Sequence, residues 1–145
     1  MVNEQKSISV ETLDKLHTSG AGYDVLRYVG LPDLFGTESD TLLYFMGKNL
    51  ARKLETRTID DIVFFFDKMG WGKLDLYKEK KKGMTFHLMA DAVVYRLNAP
   101  IDAEFRLEAG FLAEAVQIIK GRQSECQESI NQKLAQIEFS VMYID

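Results

Sequence analysis

From residue 40 to residue 54 the apolar positions return at helical spacing. Leu42, Leu43, Met46, Leu50 and Leu54 share one arc, with Gly47 inside it, while Thr41, Lys48, Asn49, Arg52 and Glu55 take the other side. That pattern predicts an amphipathic helix. Thr58, with Asp61 three residues on, reads as an N-cap and near capping box for a second helix, which reaches Lys68-Met69 and stops at Gly70. Two shorter helical patterns come earlier. One covers residues 10–16 and ends near Ser19-Gly20; the other covers residues 23–29 and is stopped by Gly30-Leu31-Pro32. Residues 34–39 read as a loop.

The period changes after Gly70. Residues 71–78 and 84–90 predict a β-hairpin, in which Met84, Phe86 and Leu88 alternate with Thr85, His87 and Met89. Residues 79–83 form its turn, with Gly83 available for a left-handed position. Residues 91–97 fit a short helix or extended chain, broken by Asn98-Ala99-Pro100. The longest helical pattern covers residues 103–120 and ends at Gly121. A second strand pair follows: a polar, edge-like strand over residues 122–130, and residues 134–144, where Ile137, Phe139, Val141 and Tyr143 alternate with Glu138, Ser140, Met142 and Ile144. The order of elements predicts an α+β fold, a four-stranded antiparallel sheet covered on one face by helices. Residues 1–10 are polar and read as a flexible N-terminus, and residues 11–145 as a single domain.

Composition narrows the class. A chain of 145 residues can bury roughly 70% of its unfolded surface without disulfides or metal. The net charge of −4 argues against general nucleic-acid binding, which needs a large basic face. Cys126 is the single cysteine, so an internal disulfide and a cysteine-only zinc site are both excluded. One thiol suits a reducing cytoplasm. The first residues carry no apolar stretch of the secretory kind, and the longest apolar run, Ile62-Val63-Phe64-Phe65-Phe66, is too short to span a bilayer.

Two helical glycines are the most informative positions. Gly47 and Gly110 each sit inside a periodic helix, where glycine costs about 1 kcal/mol relative to alanine. A helix that keeps one needs the missing side chain, most simply so that another backbone can approach. Gly47 and Gly110, together with Tyr23, Leu26 and Ala51, are therefore assigned to tight packing between helices or subunits.

Glu108 falls within the apolar arc of its helix, among Phe111, Leu112, Ala115 and Ile119. A carboxylate there is either a structural ion pair or a polar anchor in a ligand pocket. Arg52, either solvated or facing Glu108, is the cation considered for it. Met46, Leu50, Phe65, Glu108, Phe111 and Leu112 are the candidates for lining a ligand pocket. Phe64, Phe65 and Phe66 point in three successive helical directions and cannot all face one core. Trp71, between Gly70 and Gly72, reads as a packed corner aromatic. His17 and His87 lack metal-ligand spacing. Cys126 lies in a polar strand where nearby acids disfavour its thiolate. Lys78 and residues 80–82 form a basic hairpin tip, read as a solvated turn that could also meet an anion.

Three segments taken in order, "GKNLARKL", "MGWGKLDL" and "FRLEAGFLAEAVQ", resemble the YslB-like proteins of Gram-positive bacteria, a family of unknown function. That family is similar in turn to vinyl-reductase-type ligand-binding domains and to the Bet3-like subunits of TRAPP tethering complexes. The resemblance implies a four-stranded antiparallel sheet with helices on one side, and a homodimer built through helices. It also implies ligand binding or scaffolding rather than catalysis. Some relatives hold metal on two cysteines near the last hairpin. Cys126 matches the first, but Gln136-Ile137-Glu138-Phe139 lacks the second, so no metal site is carried over. Bet3-like subunits can carry an acyl chain on an early cysteine, and residues 1–125 contain none.

The expected function is thus a non-enzymatic, cytoplasmic homodimer that recruits or regulates another protein, with no metal, cofactor, nucleic acid or integral membrane segment. The alternative is a sensor or carrier of a small apolar ligand bound between helices and sheet. An enzyme would draw on Glu108 with Asp60, Asp61 and Glu114, but no nucleophile is paired with a base at recognisable spacing.

Overall fold

The computed structural model describes Ser9 and residues 20–145. The predicted flexible N-terminus and the helical pattern at residues 10–16 lie outside the described residues. The chain enters through a helical arm: α1 (Ala21–Val25), a π-helical turn (Leu26–Gly30) and α2 (Leu31–Phe35). The predicted stop at Gly30-Leu31-Pro32 does not occur. Gly30 and Leu31 keep right-handed helical angles, and Leu31 N–H donates to the Leu26 carbonyl five residues back. Pro32 has no N–H to give, and its ring would strike the carbonyl four residues before it. The wide turn just ahead of it takes up that conflict. The residues read as a loop accordingly begin inside α2, and the break comes at Gly36 (φ 64°), followed by one 3₁₀ turn.

Helices α3 (Ser39–Lys53) and α4 (Ile59–Lys68) match the predicted pair. Thr58 caps α4 through a complete capping box: its hydroxyl accepts from Asp61 N–H, and the Asp61 carboxylate accepts from Thr58 N–H. Strands β1 (Lys73–Lys80) and β2 (Gly83–Met89) form the first hairpin. Gly83 is a strand residue here and not the left-handed turn residue expected: no left-handed φ is found at it. A Cβ at Gly83 would overlap the Val141 carbonyl oxygen of the neighbouring strand, so it serves close approach instead. The ambiguous stretch after β2 is helix α5 (Asp91–Asn98). Helix α6 (Arg106–Lys120) starts three residues later than the periodicity suggested and ends at left-handed Gly121. Strands β3 (Ser124–Asn131) and β4 (Gln136–Tyr143) complete the sheet.

The sheet is antiparallel in the order β1-β2-β4-β3. Leu74, Met84, Phe86, Leu88, Ile137, Phe139 and Val141 point inward and are buried, while Thr85, His87, Glu138 and Ser140 on the opposite face are half-buried or exposed. Helix α6 is buried along residues 107–116, as expected of a helix with neighbours on every side. The phenylalanine run divides as its geometry requires. Phe65 and Phe66 are fully buried, and Phe64 packs at the margin. Phe66 meets Trp71, Phe111 and Phe139 edge-on, with ring centroids 5.0–6.4 Å apart.

Candidate functional site

Two constructions on α6 define the candidate site. The first is the crossing with α3. A Cβ on Gly47 would overlap the Leu107 carbonyl oxygen and stand 2.8 Å from Phe111 N; one on Gly110 would overlap the Tyr44 carbonyl oxygen. The two main chains touch at these glycines, as the sequence implied. The contact is within one chain, so neither glycine is left for a second subunit. Ala51, also assigned to packing, is fully buried on α3.

The second construction joins the helical arm to the start of α6. Arg27 is 1% exposed and Glu108 0%. The Arg27 guanidinium donates to Glu108 Oε1 at 2.7 Å and Oε2 at 3.1 Å, and to Glu104 Oε1 at 2.7 Å. It also donates to the Glu104 carbonyl (3.2 Å) and to the Tyr23 hydroxyl (3.0 Å). Trp71 Nε1 donates to the same hydroxyl at 2.9 Å. Beside this set, Arg96 donates to Asp24 (3.2 Å) and to the Trp71 carbonyl (3.3 Å). Glu108 is thus held in a buried ion pair, but by Arg27 and not by Arg52. Arg52 reaches Glu114 at 3.3 Å instead.

One guanidinium here faces two carboxylates. Burial drives the Glu104 carboxyl above its ordinary range, with Arg27 opposing it. Desolvation raises the Tyr23 and Tyr28 hydroxyls as well, so both stay protonated. Arg27 remains charged, because the attraction of Glu108 overcomes its own desolvation. Arg27 Nε, the Tyr28 hydroxyl and Glu104 Oε2 are buried without a hydrogen-bond partner among the described residues.

The arm is inverted relative to an ordinary surface helix. It buries Arg27 and Tyr28 and exposes Val25, Leu26, Val29 and Leu34, each more than half exposed. Sequence reasoning missed Arg27. The available signal was an arginine four residues after Tyr23 with apolar residues on both sides of it.

The six predicted pocket residues lie in or against the buried interior. Phe65, Glu108, Phe111 and Leu112 are fully buried, and Met46 and Leu50 are half-buried against the core. Two open concavities, of about 230 and 210 Å³, lie on the outer face of the sheet and include none of the six. Cys126 points inward and is buried, in contrast to the polar surroundings read from its neighbours. Burial pushes its thiol well up, with Glu128 adding to the effect. Its N–H donates to the Tyr44 hydroxyl (3.0 Å), which donates to Glu125 (3.1 Å), so α3 covers part of the β3 edge. Among the acids considered for catalysis, Glu114 is paired with Arg52 and Asp61 serves the cap. His87 lies on the outer face as expected, 3.3 Å from Glu138 and stacked on Tyr77. No group of three or more metal-ligating side chains occurs among the described residues. No helix among them is long and apolar enough to cross a membrane.

The family model described as "Protein of unknown function (DUF2507)" matches residues 20–142, and the chain belongs to that family. The uncharacterized protein YslB of Bacillus subtilis (strain 168) is 29% identical over 135 residues, covering 93% of this chain and 91% of that one. The crystal structure of a vinyl-4-reductase family protein from Methanocaldococcus jannaschii superposes with a TM-score of 0.68 at 20% identity, covering 93% of this chain and 88% of that one. At that identity the likeness establishes a shared fold.

Proposed function

We propose that this member of a family without an assigned activity is a non-catalytic, cytoplasmic interaction domain that works as a homodimer. One observation carries the reading: the arm turns Val25, Leu26, Val29 and Leu34 to solvent while its arginine is buried. An apolar face on a charged chain marks an interaction site more often than an idle surface. A two-fold axis at this face would set arm against arm, each copy covering the other's apolar residues. Burying them is favourable by about 25 cal/mol per Å² of apolar surface. The pairing of the buried acids and arginines with one another, and the buried, protonated thiol, support a role without chemistry.

Size-exclusion chromatography with light scattering tests this. The parent chain should elute with the mass of a dimer. The double substitution Leu26→Glu with Val29→Glu should give a folded monomer with unchanged circular dichroism. A parent protein that stays monomeric at micromolar concentrations removes the proposal.

A second reading, a sensor of a small ligand, is favoured by the three buried polar atoms without partners beside the arm. The ligand would then carry a polar group toward Arg27 and Tyr28, and would enter where the arm meets α6. Native mass spectrometry of the purified chain checks this reading. A mass equal to the bare polypeptide, with and without Tyr28→Phe, argues against it.

A further inference from the structure

The hairpin tip concentrates positive charge on the described surface. Lys78, Lys80, Lys81 and Lys82 are exposed, and none has an ion-pair partner among the described residues. The fold adds two cations from a distant segment. Lys120 at the end of α6 reaches Glu79 (2.9 Å), and Arg122 donates to the Lys81 carbonyl (3.4 Å) while pairing with Asp145 (2.9 Å). Six cations and two carboxylates therefore gather at one corner of a chain whose net charge is −4. The tip is also anchored. Tyr143 N–H donates to the Lys82 carbonyl (2.9 Å), and Arg122 lies 4.2 Å over the Tyr143 ring.

Apolar side chains stand among these cations. Met142 is 59% exposed and Ile144 51%. Met142 shares an open concavity of about 210 Å³ with Lys80, Lys82, Thr85 and Ser140. Charge alone would suit any polyanion. Exposed Met142 beside Lys80 and Lys82, with exposed Ile144 two residues on, suits a surface that is anionic at its headgroups and apolar just beneath them.

We infer that this corner of the sheet is a docking surface for an anionic phospholipid bilayer, with the lysines at the headgroups and Met142 and Ile144 dipping between them. It lies on strands and turns remote in sequence from the apolar arm, so dimer formation and bilayer contact are separable. A dimer would double the lysine count and strengthen an otherwise weak contact.

Co-sedimentation of the full chain with vesicles tests the inference. Vesicles containing about a third phosphatidylglycerol should bind the protein at about 0.05 M salt, pure phosphatidylcholine should not, and about 0.5 M salt should release it. The triple substitution K80Q/K81Q/K82Q should weaken binding roughly a hundredfold, at about a fivefold loss for each lysine near the surface. The pair M142S/I144S should weaken it several-fold without changing the salt dependence. All these positions are exposed, and unchanged circular dichroism confirms the fold of each variant. Absence of binding to the anionic vesicles overturns the inference, as does equal binding by the triple variant. Full affinity in M142S/I144S, with displacement from vesicles by soluble polyglutamate, also overturns it and assigns the corner to an acidic protein partner.

Discussion

Two elements are fastened to the same helix, α6, by opposite means. Helix α3 meets it through Gly47 and Gly110, main chain against main chain. The arm meets it through Arg27, a single guanidinium between Glu104 and Glu108. The glycine crossing is a fit of shape. It rests on many weak contacts over a dry surface and has no second arrangement of similar energy. The arginine pin is a fit of charge. It takes ions out of water and recovers stability through a few directed bonds. The comparison teaches that within the same first turns of α6 one contact belongs to an all-or-none core, while the other holds an element able to come away by itself. That division suits an arm whose outer face is apolar.

The sharpest way to break the comparison is at the crossing. Gly110→Val would drive two methyl groups toward the Tyr44 backbone, which cannot yield as a side chain can. The expected loss is about 4 kcal/mol or failure to fold, at the upper end of overpacking effects. Urea denaturation measures it, and a variant as stable as its parent would mean that the helices can slide apart freely.

Arg27→Met comes next. It leaves Glu108 buried and Glu104 half-buried without their cation, at a cost of about 3 kcal/mol. Hydrogen exchange separates this from a general weakening. Amides of residues 21–35 should exchange much faster, while those of residues 107–116 keep more of their protection. Uniform loss across both segments would show that the arm is part of the core after all.

The smallest effect concerns pH. The folded state holds the Glu104 proton more tightly than the unfolded chain does, because burial raises this carboxyl. The stability it contributes is fully present below the ordinary carboxylate range and is lost as pH rises through the raised value. Glu104→Gln should remove that decline, so its melting temperature should fall less than the parent's between about pH 4 and pH 7. Parallel profiles for the two proteins would place the excess charge elsewhere.

The legible parts of the molecule were those governed by local rules. The α3 arc, the Thr58–Asp61 cap, the alternation of β4 and the stop at Gly121 depend on residues within a few positions of each other. Gly47 and Gly110 were legible too, because a glycine that weakens its own helix implies an outside reason. The arm was misread for a physical cause. Gly30 and Pro32 are local helix breakers, yet a π turn accommodates them, and the buried Arg27 and Trp71 hold the arm against the core.

By itself, the sequence determined the main helices and the two strand pairs in their order, the inward faces of β2 and β4, the two places where backbones must touch, and that Glu108 needed a partner or a pocket. Only the tertiary structure decided that the partner is Arg27, that Cys126 is buried, that Lys120 and Arg122 join the lysine tip, and that the arm wears its apolar residues outside. Each of these pairs residues 41 to 81 positions apart or depends on burial, and a helical or strand period carries no information over such separations.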